Sequence, residues 1–332
     1  RASDDREKGM NLFDYTYGLI KQIPRGRVST YKAVATALGY AGAARAVGTM
    51  LNLNTRPIEI PCHRVVNSDG TIGGYSRGIE EKLKLLKEEG IKFSGKTIVN
   101  FSDVFFDAFD TEYPLLGLRK EQEEIGKKVC LEDAVTEVAY IYGVDCSYEA
   151  RTGFCVMARF SLDGRYIDHV SAVEQVDFPY IPTFLSYREM PIIEHCLQKV
   201  EKEHAIFVFD GNGIIHPLRA GIASHIGVKQ DIVTMGVAKN LLLGTLEHSI
   251  KSPGAWAYIL HEGNRIGIAY RATSAKPVYI SPGHRISLNT AFQYIKPMFK
   301  HRIPEPIAKA HELVTKLRKA YKTRLDTAQT LL

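Results

Sequence analysis

Residues 61–66 read Pro-Cys-His-Arg-Val-Val, and they lie in an apolar run from Ile58 to Val66 that predicts a strand. A cysteine followed directly by a histidine is a candidate activated thiolate. Free cysteine is mostly protonated at neutral pH and needs a neighbouring base or cation to become nucleophilic. For an isolated Cys-His pair, the alternative is a buried structural cysteine. The residues around Cys62 favour the nucleophile.

Short motifs flank the hexapeptide, namely Tyr31, Arg45-Ala-Val-Gly48, Asn54 and Gly74-Tyr-Ser76. In order and spacing, residues 9–93 resemble the active-site domain of the O6-alkylguanine-DNA alkyltransferases. The chain has Asn54-Thr55 where that family usually has Asn-Pro, and few residues precede the first predicted helix where the family usually has another domain. Alkyltransferase-like proteins that bind lesions without transfer lack the cysteine, so Cys62 argues against that class.

The resemblance implies a role for each residue in moving an alkyl group from a guanine oxygen to sulfur. Cys62 would be the acceptor, and His63, oriented by Glu89, would take the thiol proton through a water. Tyr31 would donate a proton or hydrogen bond to the guanine, and Asn54 would orient the thiol.

DNA contacts follow from the same resemblance. Tyr75 and Ser76 would line the pocket for the flipped base, and Arg45 would fill the space that the base leaves in the stack. Taken singly, each residue has a structural alternative, such as helix packing for Tyr31 or a phosphate contact for Arg45. Their common register with Cys62 favours the functional interpretation.

Composition limits the classes of protein that fit. The 332 residues suit two domains, and no run of about 18 apolar residues predicts a membrane span. The charged start shows no secretory signal. Five cysteines without a Cys-x-x-Cys pair argue against a zinc cluster or a disulfide framework and indicate a reducing, cytoplasmic location. The first 100 residues hold 16 basic and 10 acidic side chains, so the whole excess of +6 lies there and suits a polyanion partner.

The pattern of elements predicts a multidomain α/β chain. Helical spacing over residues 9–23, a helix from Ser29 or Thr30 to Leu38 and another over 43–53 outline a helix-turn-helix, with a fourth helix over 79–89. Residues 101–109 are too apolar for a flexible linker, and we expect them to pack between the domains. From residue 119, strands interleave with helices, as in a mixed α/β domain. We expect an alkyltransferase domain over 1–95, an ordered connector over 96–118 and a second domain over 119–332.

Three acidic residues of the second domain are predicted at or near strand ends: Asp145, Glu189 and Asp210. Carboxylates that converge from separate strands supply the hard oxygen ligands of Mg²⁺, and such sites activate water for phosphodiester cleavage. Taken alone, an acidic residue at a strand end is more often a cap or turn residue than a metal ligand.

Further motifs accompany these acids, including Pro179-Tyr-Ile-Pro182, Asp210-Gly-Asn-Gly213, Gly221-Ile-Ala-Ser-His225 and Ser281-Pro-Gly-His284. Over residues 120–320 they resemble endonuclease V, which nicks nucleic acid near deaminated bases. The resemblance implies a ribonuclease H-like fold in this domain, beside a small, helical, winged helix-turn-helix-like first domain.

In that family, residues matching Asp145, Glu189 and Asp210 hold Mg²⁺, and Mn²⁺ would substitute for it. Lys239 would contact the scissile phosphate or the attacking water, and His311 would stand at the metal site. Tyr180 would be a wedge beside the extruded base. The backbone around Gly211, Gly213 and Gly221 would form the base pocket, and His216 would be a further contact with the nucleic acid. Thr183 and Leu218 depart from the family pattern.

The sequence therefore predicts a bifunctional DNA repair enzyme. It would transfer alkyl groups stoichiometrically without a cofactor, and it would cut 3′ to deoxyinosine, with deoxyuridine and deoxyxanthosine as further candidates. The alternatives are a non-catalytic lesion-binding adaptor and an RNA endonuclease acting on inosine. We expect a monomer that binds damaged double-stranded DNA, with single-stranded DNA or RNA as alternative partners and no membrane.

Overall fold

The computed structural model describes residues 10–134 and 137–330, with side chains described as far as residue 324. Its contacts form two units. The first extends to Lys120 and includes Asp177–Phe184; the second comprises Glu121–Val176 and the chain from Leu185 onward. The predicted domain boundaries themselves stay a prediction. Within the described residues, no helix is long and apolar enough to cross a membrane.

The first unit is mostly helical. Its elements are α1 (Leu12–Lys21), β1 (Ser29–Thr30), α2 (Tyr31–Ala37), α3 (Ala44–Asn52), β2 (Val65–Val66), α4 (Ile79–Glu88), β3 (Phe93–Ser94), β4 (Thr97–Ile98), α5 (Phe101–Val104) and the start of α6 (Pro114–Lys128). Strand β1 pairs with β2 in parallel, and β3 pairs with β4 in antiparallel fashion.

Local chemistry fixes the helix ends near the predicted positions. Thr30 is the N-cap of α2, and its hydroxyl accepts a hydrogen bond from the Ala33 N–H at 3.0 Å. Gly39 follows α2 with a φ of +97°, a conformation that side chains disfavour. The two helices that the sequence predicts, one ending at Leu38 and one over residues 43–53, therefore correspond to α2 and α3.

The predicted strand from Ile58 to Val66 is wrong over most of its length. Cys62–Arg64 form a 3₁₀ helix, and only Val65–Val66 pair as a strand. Proline lacks an N–H and cannot donate to a ladder, so Pro57 and Pro61 prevent a regular strand there. As a result, Cys62 lies in a tight turn at the start of β2.

The apolar segment over residues 101–109 packs within the first unit. Val28 donates to the Val104 carbonyl at 2.8 Å, and Phe106 donates to the Val28 carbonyl at 2.8 Å. Phe93, Phe101 and Val104 pack against a small apolar cluster that includes Val28, Ile72 and Leu86. The aromatic residues of this segment thus complete the core of the first unit.

The second unit is built on a nine-stranded mixed sheet. Its strands lie in the order β10-β11-β12-β13-β9-β8-β5-β6-β7, and the pairs β5–β8 and β8–β9 are parallel. The strands are β5 (Tyr140–Glu149), β6 (Thr152–Ser161), β7 (Tyr166–Gln175), β8 (Ala205–Asp210), β9 (Thr234–Ala238), β10 (Thr245–Leu246), β11 (Trp256–His261), β12 (Asn264–Tyr270) and β13 (Val278–His284).

Helices cover both faces of this sheet. One apolar cluster joins Tyr142 and Phe207 of the sheet to Ile192 and Ile226. The other, on the opposite face, contains the neighbouring Ile141 and Val208. The helices are α7 (Leu185–Leu197), α8 (Ile222–Gln230), α9 (Leu288–Ile295) and α10 (Glu305–Thr330). Because strands buried on both faces read as continuous apolar runs, β5 and β8 were found from the sequence. The mixed α/β class predicted for this part of the chain is confirmed.

Candidate active sites

Cys62 is held at the edge of a cavity in the first unit. Its side chain is 4% exposed, and the Asn54 amide Nδ2 lies 3.3 Å from Sγ and 3.3 Å from the Ile60 carbonyl, donating to both. Burial raises the pKa of the Cys62 thiol, although the Asn54 hydrogen bond and the positive charges of Lys82 and Arg77 oppose this. The resting sulfur is therefore a thiol that needs a base.

A base with its orienting carboxylate stands next to the thiol. The Nε2 of His63 lies 3.0 Å from Oε1 of Glu89, and both side chains are largely buried. The Nδ1 of His63 is buried without a hydrogen-bond partner among the described residues, so it is available as an acceptor. Burial lowers the pKa of His63 despite the Glu89 carboxylate, which keeps the imidazole neutral and able to accept a proton at neutral pH.

Arg64 was missed by the sequence reasoning. Its guanidinium donates from Nη2 to Oε1 of Glu89 at 2.8 Å and from Nε to Oε2 at 3.0 Å, and Nη1 donates to the Ile23 carbonyl at 2.7 Å. Burial alone would raise the pKa of Glu89, but the hydrogen bonds from Arg64 and His63 lower it to about 2. Glu89 is thus a fixed anion that orients His63.

Lys82 was missed as well. It is fully buried on α4, and its Nζ donates to the carbonyls of Val65 at 2.6 Å and Gly74 at 2.9 Å. Burial lowers the pKa of Lys82 to about 7. The available signal was a lysine at an apolar position of an amphipathic helix, three residues after Ile79 and four before Leu86. Lys82 thus ties the loop before Tyr75 to the strand after Cys62.

The cavity beside Cys62 has a volume of about 170 Å³. Its lining contains three further residues predicted from the sequence, Tyr31, Tyr75 and Ser76, and also Gly48, Leu51, Asn52 and Gly74. The Tyr31 hydroxyl donates to the Gly74 carbonyl at 3.3 Å, and burial raises its pKa, so the phenol stays protonated. Arg45 is exposed in the first turn of α3. The structure thus brings Cys62, Tyr31, Tyr75 and Ser76 together around one small cavity, whereas Arg45 does not line it.

In the second unit, sheet register brings two predicted carboxylates together. Strands β5 and β8 are parallel, with Val144 opposite Phe209, so the next residues, Asp145 and Asp210, are neighbours on one face. Two details of the prediction were wrong. Asp145 lies inside β5, because β5 continues beyond β8 in its hairpin with β6. Glu189 lies on helix α7.

Two basic side chains contact these carboxylates. Lys239, directly after β9, places Nζ 2.5 Å from Oδ2 of Asp210. His311, on α10, places Nδ1 2.7 Å from Oδ2 of Asp145. Helix α10 lies close to β5 because Gly143 has no side chain, and an added Cβ would lie 2.0 Å from the Pro306 carbonyl. Gly143 thereby permits the contact of His311.

The electrostatics of the carboxylates fit a divalent cation. Burial and the charge of Asp210 raise the pKa of Asp145 to about 6, and burial and the charge of Asp145 raise the pKa of Glu189 to about 8. Such mutual repulsion is what a bound cation with oxygen ligands relieves. Among the described residues, no group of three or more His, Cys, Asp or Glu side chains is arranged to hold a metal ion. The carboxylate oxygens of Asp145, Glu189 and Asp210 nevertheless suit a hard divalent cation. Lys239 and His311 now contact two of these carboxylates.

Other predicted contacts have different surroundings. Tyr180 is 60% exposed, as a wedge requires, and belongs to the segment Asp177–Phe184 that clusters with the first unit. His216 is 3% exposed, and its Nδ1 accepts from the Leu218 N–H at 3.2 Å, so in this conformation it organises its loop and does not reach solvent.

The predicted pocket glycines serve close backbone packing within the second unit. A Cβ on Gly213 would lie 2.0 Å from the Pro282 carbonyl oxygen, and a Cβ on Gly221 would lie 2.3 Å from that of Asn212. For Gly211 the nearest obstacle is the Ile222 side chain at 2.7 Å. Larger residues at these positions would disturb the packing of the loop that follows β8 against β13 and α8.

Comparison with known proteins gave matches to both parts of the chain. The family model of endonuclease V matches residues 123–312, and that of the 6-O-methylguanine DNA methyltransferase DNA binding domain matches residues 12–91. A bifunctional methyltransferase/endonuclease of Picrophilus torridus is 36% identical, covering 94% of this chain and 98% of the relative. One of Thermoplasma volcanium is 34% identical, covering 92% and 90%.

Solved structures match the second unit. Endonuclease V of Streptomyces avermitilis has a TM-score of 0.58 at 30% identity, covering 62% of this chain and 94% of that one. Endonuclease V of Ciona intestinalis, in complex with a 24mer DNA containing an inosine followed by a ribo-adenosine, has a TM-score of 0.55 at 26% identity, covering 62% and 98%. Both resemblances predicted from the motifs are confirmed.

Proposed function

The chain belongs to the family of bifunctional methyltransferase/endonucleases, and we propose that Cys62 is its alkyl acceptor and that Asp145, Glu189 and Asp210 form its nuclease centre. The enzyme combines alkyl transfer with endonuclease V activity. Two observations support the assignment of residues. Cys62 lines one cavity with Tyr31, Tyr75 and Ser76, and sheet register makes Asp145 and Asp210 neighbours.

For alkyl transfer, the proposed substrate is O6-alkylguanine in DNA. The thiol proton of Cys62 passes through a water to Nδ1 of His63, while Glu89 holds Nε2. The sulfur then attacks the alkyl carbon, the bond from that carbon to O6 breaks, and its electron pair stays on the guanine. Tyr31 supplies a proton or hydrogen bond to the departing base and is reprotonated from His63. Cys62 ends as a thioether, so each chain reacts once.

For incision, we propose that Asp145, Glu189 and Asp210 hold Mg²⁺, with Mn²⁺ as a substitute. The ion would lower the pKa of an attacking water and offset charge on the scissile phosphate. Lys239 is suited to leave Asp210 for a phosphate oxygen, because a fixed cation there offsets developing negative charge. His311 would orient Asp145 through their 2.7 Å contact.

We propose deoxyinosine in DNA as the substrate of the nuclease, with deoxyuridine and deoxyxanthosine as further candidates. The Ciona intestinalis relative, bound to DNA containing inosine, supports this proposal. The ribo-adenosine in that DNA also keeps the inosine-specific RNA endonuclease as a second candidate. Equimolar competition between deoxyinosine DNA and inosine RNA of one sequence tests the two, and preferential cutting of the RNA would overturn the DNA assignment.

Several finer features belong to the same proposal. We assign α2 and α3 to a winged helix-turn-helix and the nine-stranded sheet to the ribonuclease H-like class. The parallel β5–β8–β9 centre, with Asp145 and Asp210 as neighbours on β5 and β8, supports the second assignment. The proposed partner is damaged double-stranded DNA bound by a monomer. Five free cysteines support a reducing, cytoplasmic location.

The first prediction concerns how the rate of alkyl transfer falls at low pH. Neutral His63 is the working base and its pKa is lowered by burial, so its protonation should inhibit transfer only below about pH 6.5, the ordinary value for histidine. The single-turnover rate at saturating DNA should stay constant from pH 8 down to about pH 6.5 and then fall. Glu89→Gln should lower the plateau and move the acid limb to lower pH, because Glu89 raises the pKa of His63. An acid limb centred above pH 7 would contradict His63 as the base.

Tyr180 gives a second prediction. If its exposed ring stacks beside an extruded base, Tyr180→Ala should weaken binding to deoxyinosine duplex by about 1–3 kcal/mol, the usual contribution of one base–aromatic stack. Binding to undamaged duplex, which depends on phosphate contacts, should hardly change. Fluorescence anisotropy with both duplexes checks this, and Tyr180→Phe should bind like the wild type. Equal losses on the two duplexes would assign Tyr180 a structural role.

A further inference from the structure

A second cavity of the first unit, with a volume of about 450 Å³, is separate from the Cys62 site. It lies between helix α2 and the chain over residues 101–113, and we call it the α2 groove. Its volume falls within the range of about 300–1,000 Å³ that is usual for ligand sites. None of the residues assigned to alkyl transfer or incision lines it.

The walls of the α2 groove offer aromatic surface. Phe101, Phe105 and Phe109 line it, and all three side chains are partly exposed. Contacts between rings fix their orientations, since Phe101 packs on Phe105 with centroids 5.4 Å apart and Phe109 packs edge-on against Phe106 at 5.0 Å. Fixed, accessible rings of this kind are stacking platforms for unpaired nucleobases.

Two opposite charges stand at the same groove. Lys32 and Asp107 both line it and both are exposed. In the part of the chain that the structure describes, neither side chain takes part in an ion pair or hydrogen bond. A lysine suits a phosphate, while a carboxylate accepts hydrogen bonds from the exocyclic amino group of cytosine, as it would from those of adenine and guanine. Thymine has no exocyclic amino group, so the ring N3–H is the only donor that its base offers to Asp107.

The α2 groove is continuous with the proposed DNA-binding surface. Tyr31, which lines the Cys62 cavity, and Lys32, which lines the groove, are consecutive residues at the start of α2. On the other side, Ser68 lines the groove, and the preceding Asn67 lies close enough to Gly73 that an added Cβ there would be 3.1 Å from its Oδ1. The Cys62 cavity and the α2 groove are therefore lined by neighbouring residues at the start of α2.

We propose that the α2 groove binds an unpaired nucleotide and prefers bases that carry an exocyclic amino group. The base would stack on Phe105 and Phe109, Asp107 would accept from its amino group, and Lys32 would contact its phosphate. This site goes beyond alkyl transfer and incision and requires neither reaction.

The test is binding of single-stranded oligonucleotides to the full-length protein without metal, followed by fluorescence anisotropy. Wild-type protein should bind a ten-residue oligodeoxycytidine more tightly than the matching oligothymidine. Phe109→Ala should weaken binding of both about 5- to 150-fold, the loss expected for one stack. Asp107→Ala should remove the preference for deoxycytidine by weakening oligodeoxycytidine binding more than oligothymidine binding. Lys32→Ala should reduce the slope of log affinity against log salt by about 0.7, the share of one phosphate on a single strand.

Controls separate this site from the rest of the molecule. Lys84→Ala changes an exposed lysine of α4 outside the groove and should keep the wild-type salt slope. The maximal rate of alkyl transfer at saturating duplex should be the same in every groove variant, which shows that the fold and the Cys62 site are intact. Equal wild-type affinity for the two oligonucleotides, or unchanged binding by Phe109→Ala, would overturn the proposal.

Discussion

Replacing Cys62 with alanine is expected to abolish alkyl transfer completely while leaving incision at deoxyinosine nearly unchanged. Without the sulfur no acceptor exists, and neither His63 nor Tyr31 can replace it as a nucleophile in the 170 Å³ cavity. Incision should persist because Asp145, Glu189 and Asp210 belong to the other unit and share no partner with Cys62. Intact-protein mass spectrometry after exposure to O6-methylguanine DNA measures the first effect, and gel analysis of deoxyinosine DNA measures the second.

The matched control is Cys130→Ala, which also removes one thiol. It should accept one methyl group per chain, located on the peptide containing residues 61–66, at the wild-type rate. Methylation of Cys62→Ala at any other cysteine, or repeated turnover by the wild-type protein, would show that Cys62 is not the acceptor.

Asp210→Ala is expected to have the second large effect, the loss of incision at every substrate concentration with alkyl transfer retained. Asp210 stands beside Asp145 by sheet register and contacts Lys239, so its removal dismantles the proposed metal site and frees the lysine. Tighter DNA binding cannot compensate for a missing ligand of the ion that activates water. Glu189→Ala should be severe too, but partly rescued by higher Mg²⁺ or by Mn²⁺.

Glu123→Ala, which removes an exposed carboxylate from α6, is the control and should cut at the wild-type rate. If Asp210→Ala lost alkyl transfer as well, circular dichroism would distinguish a collapsed fold from a true dependence between the two sites. A normal spectrum with both activities lost would contradict the assignment of the two reactions to separate units.

The candidate sites were more predictable than the elements that carry them. Cys62, His63 and Asn54 were identified from their motif and do converge, yet the turn that holds Cys62 was predicted as a strand. The apolar residues from Ile58 onward outweighed two prolines in that prediction, although proline cannot donate to a strand ladder. Glu189 was placed at a strand end because acidic residues in catalytic clusters often stand there, whereas α7 delivers it from the face of the sheet.

Residues that act through other residues were the hardest to predict. Arg64 fixes Glu89 and Lys82 ties Val65 to Gly74, and both contacts join positions far apart in the chain.

Strand β7 is largely exposed and polar, so its sequence shows little apolar alternation. Strand β13 contains Pro282, which argues against a strand by local rules and is accommodated at a register shift against β9.

We infer that one chain performs two reactions, alkyl transfer without a metal ion and incision with one. One tube containing the protein, an O6-methylguanine duplex and a deoxyinosine duplex tests it most directly, first with a chelator and then after Mg²⁺ is added in excess. We expect one methyl group per chain on the 61–66 peptide and no nicking in the chelator. Once Mg²⁺ is present, we expect nicking of the deoxyinosine strand alone. Methyl transfer that needs Mg²⁺, or nicking that proceeds in the chelator, would contradict it.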